Sequence, residues 1–516
     1  MSALVERWLA REEAAHAAIL DARGAHTYAD LVVTSKRVAS WLLARVDAPS
    51  LAGERVAILV APGAPFVAAF FGVLLAGGTV VVLSPLHPAP ETQYFCDDAS
   101  VRTVLVSAEH AELAAPLAGG EREVHVAPLE PLLANAVAEA RVNASAASLT
   151  ADAPALQLYT SGTTGKPKGA VITHENLAVQ QRLVGEAWGF SATDRLLHAL
   201  PLHHMHGLAI ALLTALGAGA TTRLTAFDAP AIWNAMSEAT VFMAVPAMYH
   251  RLFLAFDAAD EPTRARWSAS ARALRLATSG SAALPVTLAE RWRVLTGAIP
   301  LERFGMTEIG VGITNRLVGD RHPGCVGFPL PTVETRIVGE DGRDAETGEL
   351  WIRGPSVFAG YHGKPAETAK AFADDPEGGA RWFRTGDTVC REASLGAPAP
   401  FKILGRTSVD ILKSGGYKLS ALEIEEVLRE HPAVGEVAVV GVPDEAWGER
   451  VVACVVRRSG AAPCDAAALR AFARERLAAY KVPKDVLFMA DLPKNALGKV
   501  VKPDLTARVR ALGAGA

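Results

Sequence analysis

Cysteine is scarce: five residues in 516 (Cys96, Cys325, Cys390, Cys454 and Cys464), an odd number, widely spread and without a Cys-x-x-Cys pair. That usage excludes a disulfide framework or a thiolate zinc site as an organising feature, and fits a reducing compartment. Long apolar runs are missing too. The nearest, residues 66–83, is interrupted by Gly72, Gly77, Gly78 and Thr79, so it falls short of the roughly 18 residues of a membrane span and reads as a buried helix followed by a strand. Basic excess is absent: 51 Lys and Arg stand against 55 Asp and Glu, a net charge of −4, which gives no global attraction to nucleic acid or to an anionic membrane. Any anion site must therefore be local. The first twenty residues carry Glu6, Glu12 and Glu13 in an amphipathic pattern and lack the basic start, apolar core and cleavage site of a signal peptide, so a cytoplasmic protein is expected. Short repeats, low-complexity tracts and the GxxxxGK[ST] phosphate loop are also missing.

What is present is a composition of 50% hydrophobic and 21% charged residues, that of a soluble globular enzyme, with length for about three units of about 150 residues each. From about residue 26 strands apolar on both faces alternate with amphipathic helices: strands at 55–60, 79–83, 101–106, 241–245 and 274–277, helices at 65–76, after Thr173, and after Pro285. Such strands belong in parallel sheets covered by helices, so two βα lobes are expected. After Gly327 short strands at 333–338 and 349–353 flank a turn-rich segment and read as a small antiparallel β unit. A boundary falls near 405–413. Beyond it, Ser420 and Glu423 form a capping box for a helix with Ile424, Val427 and Leu428 on one face; strands at 437–442 and 451–456 and a helix from Asp465 to about Ala479 complete an α+β domain.

Tyr159 to Gly169 reads YTSGTTGKPKG, a polar turn between two strands. Gly162 and Gly165 permit backbone conformations that turn successive N–H groups into one concavity; Thr160, Ser161, Thr163 and Thr164 supply hydroxyls; Lys166 and Lys168 supply mobile positive charge. On the residues alone, this suits a polyphosphate cradle or an exposed polar hairpin. The string closely resembles the phosphate-binding signature of the adenylate-forming superfamily: acyl-CoA synthetases, nonribosomal adenylation domains and luciferases.

Further strings resemble that family in the same order. In Arg303-Phe304-Gly305-Met306-Thr307-Glu308 the resemblance gives Thr307 a phosphate contact, Glu308 the Mg²⁺, with Thr164 as a second ligand, and Met306 a place beside the acyl group. In Arg384-Thr385-Gly386-Asp387 it gives Asp387 both ribose hydroxyls, and Arg406 a ribose or phosphate role. In Pro493-Lys494-Asn495-Ala496-Leu497-Gly498-Lys499 it makes Lys499 the adenylation catalyst. The implied fold is α/β: a large N-terminal domain, 1–409, of two helix-covered βα lobes plus a small β-barrel-like unit from about 331, and a small mobile α+β lid, 410–516. The implied chemistry has two half-reactions, an acid and ATP giving acyl-AMP and pyrophosphate, then a thiol displacing AMP. The lid is expected to turn about Asp410 between them, exchanging Lys499 for the Gly415-Gly416 loop. Only a short tail, 503–516, follows Lys502, so the thiol is expected to be free CoA and not a carrier protein. Lys418 could meet CoA phosphates or stand in solvent.

The acid is indicated by a narrower resemblance. Pro201 to Leu208 reads PLHHMHGL; with no carboxylate or Cys ligand near in sequence, a metal reading is weak, and the family places His206 near the substrate carboxylate. VPAMYHRL (245–252), SGSAALP (279–285), ERFGMTE (302–308), RGPSVF (353–358) and 405–425 resemble the malonyl-CoA and methylmalonyl-CoA synthetases. In that group Arg251, Ser281 and Arg303 would hold the distal carboxylate of a small dicarboxylate, although Arg251 alone reads as an exposed helix Arg. Burying a second carboxylate requires such partners. Met205 departs from the smaller residues usual there and favours malonate over its methyl derivative, and 390–402 lacks a usual Asp-Gly-Tyr turn, expected to lie outside the site. A fatty or aryl acyl-CoA synthetase and a noncatalytic nucleotide-binding protein are the alternatives.

Overall fold

A computed structural model describes residues 1–119, 124–160, 167–375, 378–415, 417–444, 447–495 and 498–513. Of the expected site, Ser161, Gly162, Thr163, Thr164, Gly165, Lys166 and Gly416 lie outside the described residues.

The first lobe is a seven-stranded sheet in the order 360–361, 168–173, 154–160, 79–82, 55–59, 103–106, 125–128. Its five strands from Pro154–Thr160 to His125–Pro128 are mutually parallel, whereas Lys168–Thr173 returns antiparallel to Pro154–Thr160. Thr79–Val82 and Thr103–Val106 are buried at every position, as their doubly apolar sequences require. The helix Ala64–Leu75 is buried throughout. An element apolar all round belongs in a protein core or in a membrane; this one is 12 residues long and buried within the protein, and among the described residues no helix is long and apolar enough to cross a membrane.

The second lobe does not end where the β unit begins. Its parallel strands, Ala17–Asp21, Thr221–Leu224, Arg195–His198, Val241–Ala244, Leu276–Ser279 and Leu301–Met306, run into the antiparallel strands Gly310–Thr314, Cys325–Pro329, Phe401–Arg406, Trp382–Arg391, Thr347–Arg353 and Glu334–Val338, and with the edge strands Gly24–Thr27 and Phe372–Ala373 they give one 14-stranded sheet. The expected separate β unit is thus continuous with the lobe. The join is the tight turn at 307–309 between Leu301–Met306 and its antiparallel partner Gly310–Thr314. Strand 276–279 starts two residues later than expected because Arg275 leaves the strand pattern to grip Asp194, Nε to Oδ1 at 2.6 Å and Nη2 to Oδ2 at 2.7 Å.

Residues beyond 410 form their own five-stranded sheet and two apolar clusters, one around Leu419, Ile424, Leu428, Val451 and Val455, the other around Val440, Val452 and Leu505. Here three expectations need correction. The expected tail is the helix Lys502–Gly513, whose Leu505 and Val509 are buried. The expected capping box is half formed: Ser420 Oγ accepts the Glu423 N–H at 3.2 Å, while the Glu423 carboxylate is drawn away by Lys481, 2.6 Å distant. The helix opened by Asp465 stops at Arg474.

Candidate active site

The ends of parallel strands and the turns that follow them carry Thr160, Ser281, Met306, Thr307 and Glu308, where open α/β sheets place their ligand sites. Glu308 occupies the turn where the second sheet changes from parallel to antiparallel. It is 5% exposed, and burial raises its carboxyl above the ordinary range, opposed by the hydroxyl of Tyr361, which donates to Oε1 at 2.9 Å, and by the charges of Arg406 and Lys168. Among the described residues it has no ion-pair partner. Tyr361 belongs to the short strand paired with Lys168–Thr173, and the ammonium of Lys168 lies 4.8 Å from its ring centroid. Thr307 is half-buried beside Glu308.

Asp387 stands directly opposite Arg406 in register, with Arg406 Nε 3.2 Å from Oδ1. Gly386 before it has φ +71°, a backbone conformation that favours glycine. Burial pushes the Asp387 carboxyl up to about 6 against the lowering charges of Arg406 and Lys499. Lys499 itself is exposed, on a hairpin in which Asn495 N–H donates to its carbonyl at 2.9 Å. Lys499 belongs to the small C-terminal unit, and its charge is among those that oppose the rise of the Asp387 carboxyl. Its neighbour Gly498 faces Ala247 of the large body, and Glu426 Oε2 accepts the Val286 N–H at 2.9 Å across the same divide.

A second cluster lies at the start of the antiparallel join. Arg303 is 6% exposed, and its Nε and Nη2 have no hydrogen-bond partner among the described residues. Those two atoms form one edge of the guanidinium, the edge with which Arg275 grips Asp194 in this same chain. Burial without an anion holds the Arg303 guanidinium down to about 10. His206 is beside it: Nδ1 is hydrogen-bonded to Ser281 Oγ at 3.1 Å, and Nε2 is buried without a described partner. Burial, then the Arg303 charge, keeps the His206 imidazole neutral. Ser281 has φ +67°, an uncommon conformation for a residue with a side chain. The helix that His206 opens, His206–Leu213, has the wider π geometry, which no sequence pattern anticipated and which often marks functional sites. Gly280 makes the cluster sterically possible, since a Cβ there would fall 2.4 Å from Arg303 Nε. A buried guanidinium with an open fork, a neutral imidazole and a hydroxyl make a cradle for a carboxylate.

Arg251 is not buried with this cluster. The residue is exposed on the helix Pro246–Ala258 with its guanidinium 4.8 Å from the Phe227 ring centroid, because a cation on the outer helix face gains more from an aromatic face and water than from burial. Lys418 is likewise exposed and pairs with Glu340 at 2.8 Å, and Gly415 donates its N–H to Trp447 O at 2.8 Å. Met306 is half-buried at its strand end, Met205 is buried before the π helix, and Thr160 Oγ1 reaches Lys168 O at 3.5 Å. Residues 392–400 are largely exposed. The described residues hold no group of three or more His, Cys, Asp or Glu able to bind a metal, so the histidines at 203, 204 and 206 form no such cluster. The functional surroundings that the motifs did not mark are Tyr361 on Glu308, Gly280 under Arg303, and the helix Ala89–Asp98, whose Tyr94 donates to Pro167 O at 2.8 Å. Gly280 was at least visible inside SGSAALP.

The profile of the AMP-binding enzyme family matches residues 5–362, and that of the AMP-binding enzyme C-terminal domain matches 423–499. The chain belongs to the AMP-binding enzyme family. Among its relatives is the mitochondrial malonate–CoA ligase of Bos taurus, 40% identical over 95% of this chain and 88% of the relative. Among solved structures, ATP-bound MatB from Rhodopseudomonas palustris superposes with a TM-score of 0.86 at 33% identity, covering 99% of this chain and 100% of that one. A malonyl-CoA ligase in a ternary product complex with methylmalonyl-CoA and AMP, 34% identical over 96% of this chain and 98% of that one, gives 0.65. This chain carries one cluster around Asp387, Arg406 and Glu308 and another around Arg303, His206 and Ser281.

Proposed function

We propose that the protein is an AMP-forming malonate–CoA ligase, converting malonate, ATP and CoA to malonyl-CoA, AMP and pyrophosphate through malonyl-AMP, with methylmalonate a further substrate of the same site. The observation that carries this reading is the buried, unpaired fork of Arg303 beside His206 and Ser281. A monoacid ligase has no use for a buried guanidinium, whose charge is costly until an anion pairs with it. The exposed Arg251 is what a fatty or aryl acyl-CoA ligase would show; the buried Arg303 is what it would not.

In this reading Arg303, His206 and Ser281 hold the distal carboxylate of malonate, and Met306 borders the acyl group. An oxygen of malonate's other carboxylate then bonds to the α-phosphorus of ATP while the bond from that phosphorus to the α,β-bridging oxygen breaks and pyrophosphate leaves. Thr160, Lys168, Thr307 and the 161–166 loop take the polyphosphate; Asp387 and Arg406 take the ribose; Lys499 neutralises charge developing at the α-phosphate. Glu308, a buried carboxylate with one hydroxyl donor and no ion pair, has the character of a Mg²⁺ ligand, with Thr164 as its partner. The ion would neutralise polyphosphate charge. In the second half-reaction the CoA sulfur bonds to the acyl carbon and AMP leaves, after the lid, 410–516, turns about Asp410 to present the Gly415-Gly416 loop and Lys418. A five-cysteine chain with every described thiol free suits a reducing compartment such as the cytoplasm.

Exchange of labelled pyrophosphate into ATP without CoA isolates the first half-reaction. Malonate should drive it, and Arg303→Met should lower malonate-dependent kcat/KM by about a hundredfold, as for loss of a charge-assisted partner, with ATP affinity retained. Exchange driven by octanoate or benzoate but not by malonate contradicts the assignment.

A further inference from the structure

Lys502 opens the final helix, and no step of the proposed reaction uses it. Its side chain is 11% exposed, with Nζ 2.5 Å from Asp410 Oδ1 and 2.8 Å from Glu425 Oε1. Both carboxylates are anchored in turn. Asp410 Oδ2 accepts the Arg406 N–H at 3.0 Å, and the Asp410 carbonyl accepts the Ala421 N–H at 2.8 Å. Glu425 accepts the Val439 N–H at 2.8 Å and the Arg429 guanidinium at 3.0 Å. One ammonium therefore joins the junction between the two bodies, the first helix after it and the base of the last helix.

Two routes lead from that ammonium to Asp387. The first passes through Asp410 to the backbone of Arg406, whose Nε is 3.2 Å from Asp387 Oδ1. The second passes along the chain. Lys499 lies three residues before Lys502, a span of at most about 10 Å, in a hairpin closed by the Lys494–Val500 bridge and by Val501 N–H on Pro493 O at 2.8 Å. Where Lys502 is held, the Lys499 hairpin is held.

We propose that Lys502 is a positioning residue for acyl-adenylate formation: by pairing with Asp410 and Glu425 together, it sets the reach at which Lys499 faces the Asp387 side of the site. This rests on the ligase reading above. Once Lys499 has left the site for the thiol-transfer step, its reach no longer matters, so the two half-reactions should respond differently.

The test uses the full-length protein and the acid of a malonate, methylmalonate, acetate, octanoate and benzoate panel that the unaltered chain adenylates fastest. Lys502→Met should lower kcat for pyrophosphate exchange about tenfold or more with KM for ATP little changed, while CoA-dependent AMP release from the corresponding synthetic acyl-adenylate stays within about threefold of wild type. Lys502→Arg should restore exchange. The double variant Lys502→Met/Glu425→Gln, which removes one stranded carboxylate, keeps the test open if the single variant does not fold; it should show the same split. Equal losses in both half-reactions, or exchange within about threefold of wild type, overturn the proposal. Failure of the unaltered protein to adenylate any acid overturns the ligase reading instead, and the two failures are therefore distinct.

Discussion

Arg303 shows how far a single residue's surroundings can narrow a function. Its guanidinium is buried, its Nε–Nη2 edge is open among the described residues, and Gly280 leaves the space it occupies. Replacing Gly280 by Ala should push the guanidinium out of register, because the added Cβ would sit 2.4 Å from Nε and 2.5 Å from Cζ. KM for malonate should rise about tenfold or more while KM for ATP and the melting temperature hardly move; steady-state kinetics with each substrate varied in turn and a thermal melt would check this. A parallel rise in both KM values would mean that Gly280 supports the whole site. Arg303 and Ser281 were marked as candidates in the sequence by the strings around them. Their burial and the open fork were not, since those depend on the π helix at 206–213 and on a strand end, which meet only in the fold. The exposure of Arg251 was open for the converse reason: its string marks a helix, but which face that helix turns to solvent is decided by the packing of Met248, Tyr249, Leu252 and Phe253.

At the scale of elements, the flanks of the segment proposed to take polyphosphate are held from one helix. Ala89–Asp98 presents Tyr94, which donates to Pro167 O at 2.8 Å, and Asp98, which accepts from Tyr159 at 2.9 Å and pairs with Lys364 at 3.1 Å. Both flanks of 161–166 are thereby tied to the same support. Tyr94→Phe should raise KM for ATP by roughly two- to tenfold, the worth of one hydrogen bond, with KM for malonate unchanged; initial rates at varied ATP would show it, and an unchanged ATP KM would mean that the flank needs no such tie. No motif announced this helix, because its contacts are between side chains and backbone far apart in sequence. The elements that were readable are those with local chemistry. The Thr173 cap is one: its side chain and that of Asn176 cap each other's backbone as the helix begins. The tail at 502–513 went unread because its short apolar set, Leu505 and Val509, finds its burial in a cluster with residues distant in sequence, among them Val440, Val452 and Leu492.

For the molecule as a whole, the doubly apolar strands made the α/β architecture legible, and the order of the motifs made the family legible. What sequence spacing could not convey is that the β unit continues the second sheet, because strand order across a join is a long-range property. The continuity has a functional consequence: Glu308 sits at the join, so the antiparallel strands bearing Asp387 and Arg406 are braced against the same sheet as the strand bearing Arg303. In the proposed reading the nucleotide side and the acid side share one frame, and the C-terminal unit adds Lys499 from outside it. The most direct test of the central claim is the specificity constant for each acid, measured as AMP release with ATP, CoA and Mg²⁺ over malonate, methylmalonate, succinate, acetate and octanoate. Malonate should exceed acetate and octanoate by about a hundredfold or more, since only a dicarboxylate completes the Arg303 pair; equal or greater kcat/KM for acetate or octanoate would contradict it.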